Sequence, residues 1–260
     1  KKIYSIAAEH GKRVQAQTEA KNPALLLEAA DLESATNAII NSTYGCAGMR
    51  CMALPVICVQ ESIADRFVSL LKEKAQAMKV GCAYEEDTRL GPVVSAAHQK
   101  SVCDWIQKGI DEGAKLVLDG RDFKVPGYEN GFFVGPTILD HVTAEMSVGD
   151  CEIFGPVTCI KRVRDYEEGI KIMNRNPFAN GSAIFTQSGY YSRRFVMDTD
   201  GGMVGINVGI PVPTAYFPFS GNKDSFFGDL HVLGKDGVRF YTRAKTVTTH
   251  WFDEKSAKRE

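Results

Sequence analysis

The sequence predicts an α/β domain of three layers, a sheet with helices packed on it. Three observations predict this class. Segments of helical and of strand character alternate along most of the chain, the order that packs helices over a mostly parallel sheet. Apolar runs such as Leu54-Pro55-Val56-Ile57-Cys58-Val59 have the length of strands. The 260 residues, 44% of them hydrophobic, are enough for a sizeable core.

The elements follow in order. Residues 1–10 read as a helix ended by Gly11, with Lys12 and Arg13 beyond it. Glu9 argues against a basic targeting peptide, which avoids acids. Asp31 caps a helix over 32–44 that Gly45 ends, and a strand follows over 54–59. Ser62 is the expected cap of a long amphipathic helix carrying Ile63, Phe67, Leu70, Leu71, Ala75 and Met78. A loop through Gly81 and Gly91-Pro92 leads to a helix over 96–111, stopped by Gly113, then a short strand over 115–118. Residues 120–130 are turn-rich and read as a surface excursion. Strands are expected over 137–140, 157–163, 182–186 and 204–208, with helices over 166–174 and 190–197. Glycine, proline and aromatics mix without period over 211–228, which reads as a long packed loop. Residues 238–241 and 245–251 alternate as an exposed strand does. There is no internal repeat or low-complexity tract.

Composition excludes several classes. A net charge of −1 without clustered Lys and Arg argues against a nucleic-acid-tracking surface. The longest basic run, Lys255-Ser256-Ala257-Lys258-Arg259, reads as a solvated terminus. No apolar stretch approaches the ~20 residues that span a bilayer. The seven cysteines are scattered without a C-x-x-C pair, and the histidines are isolated. We therefore expect a reducing compartment and no metal.

The most informative stretch is Gly45-Cys46-Ala47-Gly48-Met49-Arg50-Cys51. Two glycines loosen the backbone after a helix, and Cys51 follows an arginine and precedes an apolar strand. The thiolate is the attacking form of cysteine, and positive charge nearby favours it. Cys51 is the candidate covalent nucleophile; the alternative is a small core hydrophobe.

Gly48-Met49-Arg50-Cys51, Glu152-Ile153-Phe154-Gly155-Pro156-Val157 and Lys245-Thr246-Val247 together resemble the aldehyde dehydrogenase superfamily. Gly11-Lys12-Arg13-Val14-Gln15, Ala20-Lys21-Asn22, Cys51-Met52-Ala53-Leu54, Ile210-Pro211-Val212-Pro213 and Phe240-Tyr241-Thr242 are similar to its CoA-acylating methylmalonate-semialdehyde branch. The resemblance covers essentially the whole chain. It implies a three-layer catalytic domain over 21–222, residues 1–20 as the end of a cofactor-binding domain, and 223–243 as a return segment to that domain. Residues 244–260 would be an oligomerisation strand and tail, in a homo-oligomer (dimer or tetramer).

The resemblance also implies a chemistry. The Cys51 thiolate adds to an aldehyde, hydride leaves to NAD, and a thioester remains. In hydrolytic members a glutamate then activates water as general base. This chain has Gln17 at that position, and an amide takes no proton at neutral pH. The implied acceptor of the acyl group is instead coenzyme A. Glu152 and Phe154 match residues that hold the nicotinamide ribose and pack beside the ring. Thr18 matches a position whose backbone faces the nicotinamide amide. Arg50 is a candidate for the carboxylate of a semialdehyde acid, or for a structural ion pair.

Two departures stand beside these matches. Met49 stands where the family usually has Gln. There is no G-x-G-x-x-G turn for a pyrophosphate, and the family's oxyanion-hole asparagine and adenine-ribose lysine are absent, so the chain resembles a C-terminal half. Its implied function is the catalytic portion of an NAD-dependent, CoA-acylating (methyl)malonate-semialdehyde dehydrogenase of valine and pyrimidine breakdown. Its implied location is the mitochondrial matrix in a eukaryote or the cytoplasm in a bacterium. By itself the chain is expected to be inactive, since most of the cofactor contact area is missing. The alternative is a truncated, inactive dehydrogenase-like chain with an assembly role. Met49 and the missing half allow that reading; Cys51, Glu152 and Phe154 favour the first.

Overall fold

A computed structural model describes residues 1–252. Along the chain lie α1 (Lys2–Glu9), β1 (Ala16–Gln17), β2 (Pro23–Leu26), α2 (Leu32–Tyr44), β3 (Val56–Gln60), α3 (Glu61–Gln76), α4 (Ala96–Asp111), β4 (Lys115–Leu118) and β5 (Thr137–Asp140). Then come β6 (Val157–Val163), α5 (Tyr166–Arg175), β7 (Phe178–Ala179), β8 (Gly181–Phe185), α6 (Gly189–Asp198), β9 (Met203–Ile206), β10 (Asn222–Lys223), β11 (Phe226–Phe227) and α7 (Gly234–Tyr241). No helix among the described residues is long and apolar enough to cross a membrane.

One seven-stranded sheet, ordered β4-β5-β6-β3-β2-β8-β9, organises the chain. All its pairs are parallel except β4 against β5. Alternation along β6 shows that both faces are covered. Arg162 reaches Glu61 (3.0 Å) and Asp65 (2.7 Å) on α3, while its neighbour Lys161 faces a small cavity shared with Ile172 and Met173 of α5. Strands buried on both faces read as continuous apolar runs, which is why β3 and β6 are plain in the sequence.

Local sequence explains most boundaries. The Asp31 carboxylate accepts the Ser34 N–H (2.8 Å) and starts α2; Ser95 and Asp165 cap α4 and α5 in the same way. The Tyr44 hydroxyl at the end of α2 joins the sheet, donating to the Thr137 carbonyl (3.2 Å) and accepting from Thr158 Oγ1 (2.8 Å).

Four expectations are corrected. Ser62 does not cap α3: the N-cap is Gln60, two residues earlier, and the serine hydroxyl donates to Glu28 (3.0 Å). The strand expected from 54 begins at Val56, because the Leu54 N–H is taken by Ser42 Oγ (3.1 Å) and Pro55 has no N–H to give. Residues 238–241 are helical, the end of α7, with the Phe240 ring under the Arg13 guanidinium (5.6 Å). In the loop over 211–228, Phe226 is buried but Tyr216 and Phe217 stand exposed.

Residues 1–17 pack on 222–242 rather than on the large sheet. Ala16 and Gln17 of β1 pair antiparallel with Phe227 and Phe226 of β11. Arg13 donates to the carbonyls of Arg239 (2.9 Å) and Thr242 (2.8 Å). Residues 242–252 form neither helix nor strand and are exposed; a strand needs a ladder partner, and none is supplied among the described residues of this chain. The rest of the expected oligomerisation segment, with the basic run at 255–259, lies outside the described residues.

Candidate active site

The turn after α2 carries Cys51. Cys46, Ala47 and Gly48 are all left-handed, at φ 53°, 54° and 71°. Two successive non-glycine residues in that region are strained, at about 1–2 kcal/mol each, so neighbours must hold them. The Met49 N–H donates to the Cys46 carbonyl (3.0 Å), and the Ala53 N–H to the Arg50 carbonyl (3.1 Å). Gly48 rests on the Gly155 backbone, where an added Cβ would fall 2.2 Å from the Gly155 carbonyl oxygen.

Two buried amides then grip the Cys51 peptide. Asn22 Nδ2 donates to the carbonyls of Cys51 (2.8 Å) and Ala53 (2.9 Å), and Asn22 Oδ1 accepts the Gly181 N–H (2.9 Å). Asn180 Nδ2 donates to the same Cys51 carbonyl (3.0 Å). The residues immediately before β2 and β8 thereby hold the loop at one end of these strands, with Cys51 exposed.

Cys51 opens on a narrow cavity of ≈ 20 Å³ lined by Lys21, Arg50, Glu152, Phe154 and Gly155 among others. A larger cavity of ≈ 200 Å³, between Tyr4, Arg13 and Phe240, has no thiol; the chemistry selects the smaller one. Glu152 is half-buried, and its Oε1 accepts the Ala20 N–H (3.2 Å). Phe154 stands at φ 57° and is 38% exposed.

Arg50 does not lie on Cys51. Its Nε donates to Cys46 Sγ (3.3 Å) and its Nη1 to the Asn41 carbonyl (2.9 Å). The guanidinium covers Gly45, where a Cβ would come within 2.5 Å of Nη1. Among the described residues it makes no ion pair. Gln17 and Thr18 do not line the Cys51 cavity. Both are exposed at the β1–β11 edge, where the Thr18 N–H is taken by the Ser225 carbonyl (3.1 Å). Of the two Thr18 backbone groups, the carbonyl is the one without a hydrogen bond among the described residues.

Burial pushes the Glu152 carboxyl up, Glu19 adds to the push, and the Ala20 N–H and Lys21 oppose it. Lys21 is fully buried, and its Nζ has no hydrogen-bond partner among the described residues. Burial lowers it, against the pull of the Cys159 thiol.

The fold recurs in known proteins. The aldehyde dehydrogenase family profile matches residues 1–247. The chain belongs to the aldehyde dehydrogenase family. It is 49% identical over 249 residues to malonate-semialdehyde dehydrogenase 2 of Oceanobacillus iheyensis, covering 96% of this chain and 51% of that protein. It is 50% identical over 250 residues to malonate-semialdehyde dehydrogenase 3 of Bacillus cereus, again 96% of this chain and 51% of the relative. Among solved structures, the methylmalonate-semialdehyde dehydrogenase of Oceanimonas doudoroffii superposes with TM-score 0.95 at 43% identity, over 98% of this chain and 53% of that one. A structure from Sinorhizobium meliloti 1021 complexed with NAD, described as the same enzyme, gives 0.94 at 43% identity, over 96% and 51%. This aldehyde dehydrogenase chain thus spans about half the length of the curated relatives it matches.

Sequence reasoning missed the residues that hold the site. Asn22 ends the Ala20-Lys21-Asn22 motif with no role evident in sequence, and Asn180 belongs to no motif. Neither has a local signature, because each bonds a carbonyl far away in sequence.

One consequence concerns pH. A carboxyl pushed up by burial costs the folded chain stability where it is ionised, and nothing below the ordinary glutamate range, where it is protonated folded and unfolded alike. Glu152→Gln keeps an oxygen for the Ala20 N–H. The variant is expected to raise the denaturation midpoint of the cofactor-free chain at about pH 8, with the gain fading towards about pH 4. Denaturant titrations at both values check this; a gain equal at both, or a loss at the higher, contradicts it.

Proposed function

We propose that residues 1–260 supply the catalytic part of an NAD-dependent, CoA-acylating dehydrogenase of malonate or methylmalonate semialdehyde. The observation that carries the reading is the convergence of Cys51, Arg50, Glu152 and Phe154 on one cavity, in a chain about half identical to malonate-semialdehyde dehydrogenases.

The residues present fit one edge of a nicotinamide riboside: a half-exposed carboxylate, a partly exposed aromatic face and a carbonyl at Thr18. Bound NAD would supply the hydride acceptor. Glu152 would accept ribose hydroxyl hydrogen bonds, and Phe154 would pack beside the ring. Cys51 Sγ adds as thiolate to the aldehyde carbon, giving a thiohemiacetal alkoxide. Loss of hydride from that carbon leaves a thioester on Cys51. Gln17 accepts no proton, so water is not activated from its position. The CoA thiolate then attacks the thioester carbonyl; the acyl–Cys51 bond breaks, and Cys51 leaves as thiolate.

Arg50 selects the substrate in this reading. Nε and Nη1 are fixed by Cys46 and Asn41, which aims a pre-oriented guanidinium at the carboxylate of a semialdehyde acid. The test is Arg50→Leu in protein carrying both halves of the enzyme. KM for malonate semialdehyde should rise about 10- to 100-fold, the value of a charge-assisted hydrogen bond. KM for propanal, which has no carboxylate, should stay within about twofold. Equal changes for the two aldehydes would remove Arg50 from substrate recognition.

A further inference from the structure

The wall of the site at 152–156 is held from two directions, and one holder lies outside the cavity. Phe154 is left-handed at φ 57°, a conformation that persists only where its surroundings impose it. On one side Gly155 lies against α4, where an added Cβ would come 2.6 Å from Val102 Cγ2. On the other side the Gly155 carbonyl lies against Gly48, three residues before the nucleophile. Helix α4, the Phe154 turn and the Cys51 loop therefore share one line of contact with no slack in it.

His98, in the first turn of α4, makes the polar tie on that line. Its Nε2 is 2.8 Å from the Phe154 carbonyl oxygen. A carbonyl can only accept, so Nε2 carries the proton and donates. The helix does not need this imidazole. Its N-cap uses the His98 backbone N–H, which donates to Ser95 Oγ (3.2 Å) whatever side chain follows. The bond therefore constrains the Phe154 peptide and does nothing for α4.

We propose that His98 is a positioning residue for the cofactor. By holding the Phe154 carbonyl it fixes the left-handed turn, and with it the angle of the ring that packs beside the nicotinamide and the spacing of that ring from Cys51. The proposal rests on the reading of Phe154 given under Proposed function. Without the bond the peptide rotates, and the ring no longer presents its face.

The test uses His98→Ala and His98→Gln in protein carrying both halves, with two readouts. The first is hydrogen exchange of the 152–157 amides without cofactor. The alanine variant should exchange at least about fivefold faster there, with the rest of α4 unchanged. The second is steady-state kinetics. KM for NAD should rise about five- to tenfold in the alanine variant, as for loss of one hydrogen bond, with kcat within about twofold. Glutamine restores an N–H donor and should bring both readouts back to within about twofold of the parent protein. Unchanged exchange, an unchanged KM for NAD, or a glutamine variant as impaired as alanine overturns the role of His98. A parent protein without NAD-dependent turnover is recognised before any variant is made; it overturns the reading of the whole site and the role of His98 with it.

Discussion

Cys51→Ser is expected to lower aldehyde oxidation by roughly a thousandfold or more in protein carrying both halves, with NAD binding unchanged. A serine hydroxyl in the same place lacks both the acidity and the nucleophilicity of the thiol. Alkylation of the parent chain checks the same assignment. Iodoacetamide should modify Cys51 and Cys46, both exposed, and spare Cys58 and Cys159. Burial pushes the Cys58 thiol up to about 12 and raises Cys159 as well, so neither offers thiolate near neutral pH. Substantial turnover by the serine variant, or labelling of Cys58 or Cys159 ahead of Cys51, removes Cys51 as nucleophile.

Gly48→Ala should be among the most damaging single changes away from the reacting atoms. An alanine at φ 71° costs about 1–2 kcal/mol by itself. Its Cβ would also stand 2.2 Å from the Gly155 carbonyl oxygen, and the backbone there cannot retreat, because Gly155 is already against Val102. Together the two effects should cost roughly 3 kcal/mol, read as a fall in the denaturant midpoint at constant slope. Gly91, with open space around it, is the control: Gly91→Ala should stay within about 0.5 kcal/mol of the parent. Equal midpoints for the two variants would mean the loop is not clamped as described.

The same clamp shows where the sequence is legible. Strands β3 and β6 and helices α2 and α4 are plain because each carries its own signal, an apolar run buried on both faces or a capped amphipathic period. The interior strand β2 carries no such signal. Ala24-Leu25-Leu26 are good helix formers, and only pairing with β3 and β8 on either side makes them extended. Residues 238–241 fail for the opposite reason, since four residues of alternating character do not distinguish strand from helix. At the site, the residues that family motifs pick out at 50, 51, 152 and 154 line one cavity. Gln17 and Thr18 lie outside it, on an edge that residues 222–227 organise. The amides of Asn22 and Asn180 and the imidazole of His98 act over long sequence separations, and nothing local in the sequence announces such bonds.

The most direct test of the central claim, a Cys51 thioester with no base at position 17 to hydrolyse it, is a rapid-mixing measurement of NADH in protein carrying both halves, with semialdehyde and NAD, in the absence and presence of CoA. Without CoA a burst of about one NADH per site followed by slow release is expected, with an acyl adduct on the Cys51 peptide by mass spectrometry. Adding CoA should convert the burst into sustained turnover and clear the adduct. Fast steady turnover without CoA, with no adduct on Cys51, would contradict the claim.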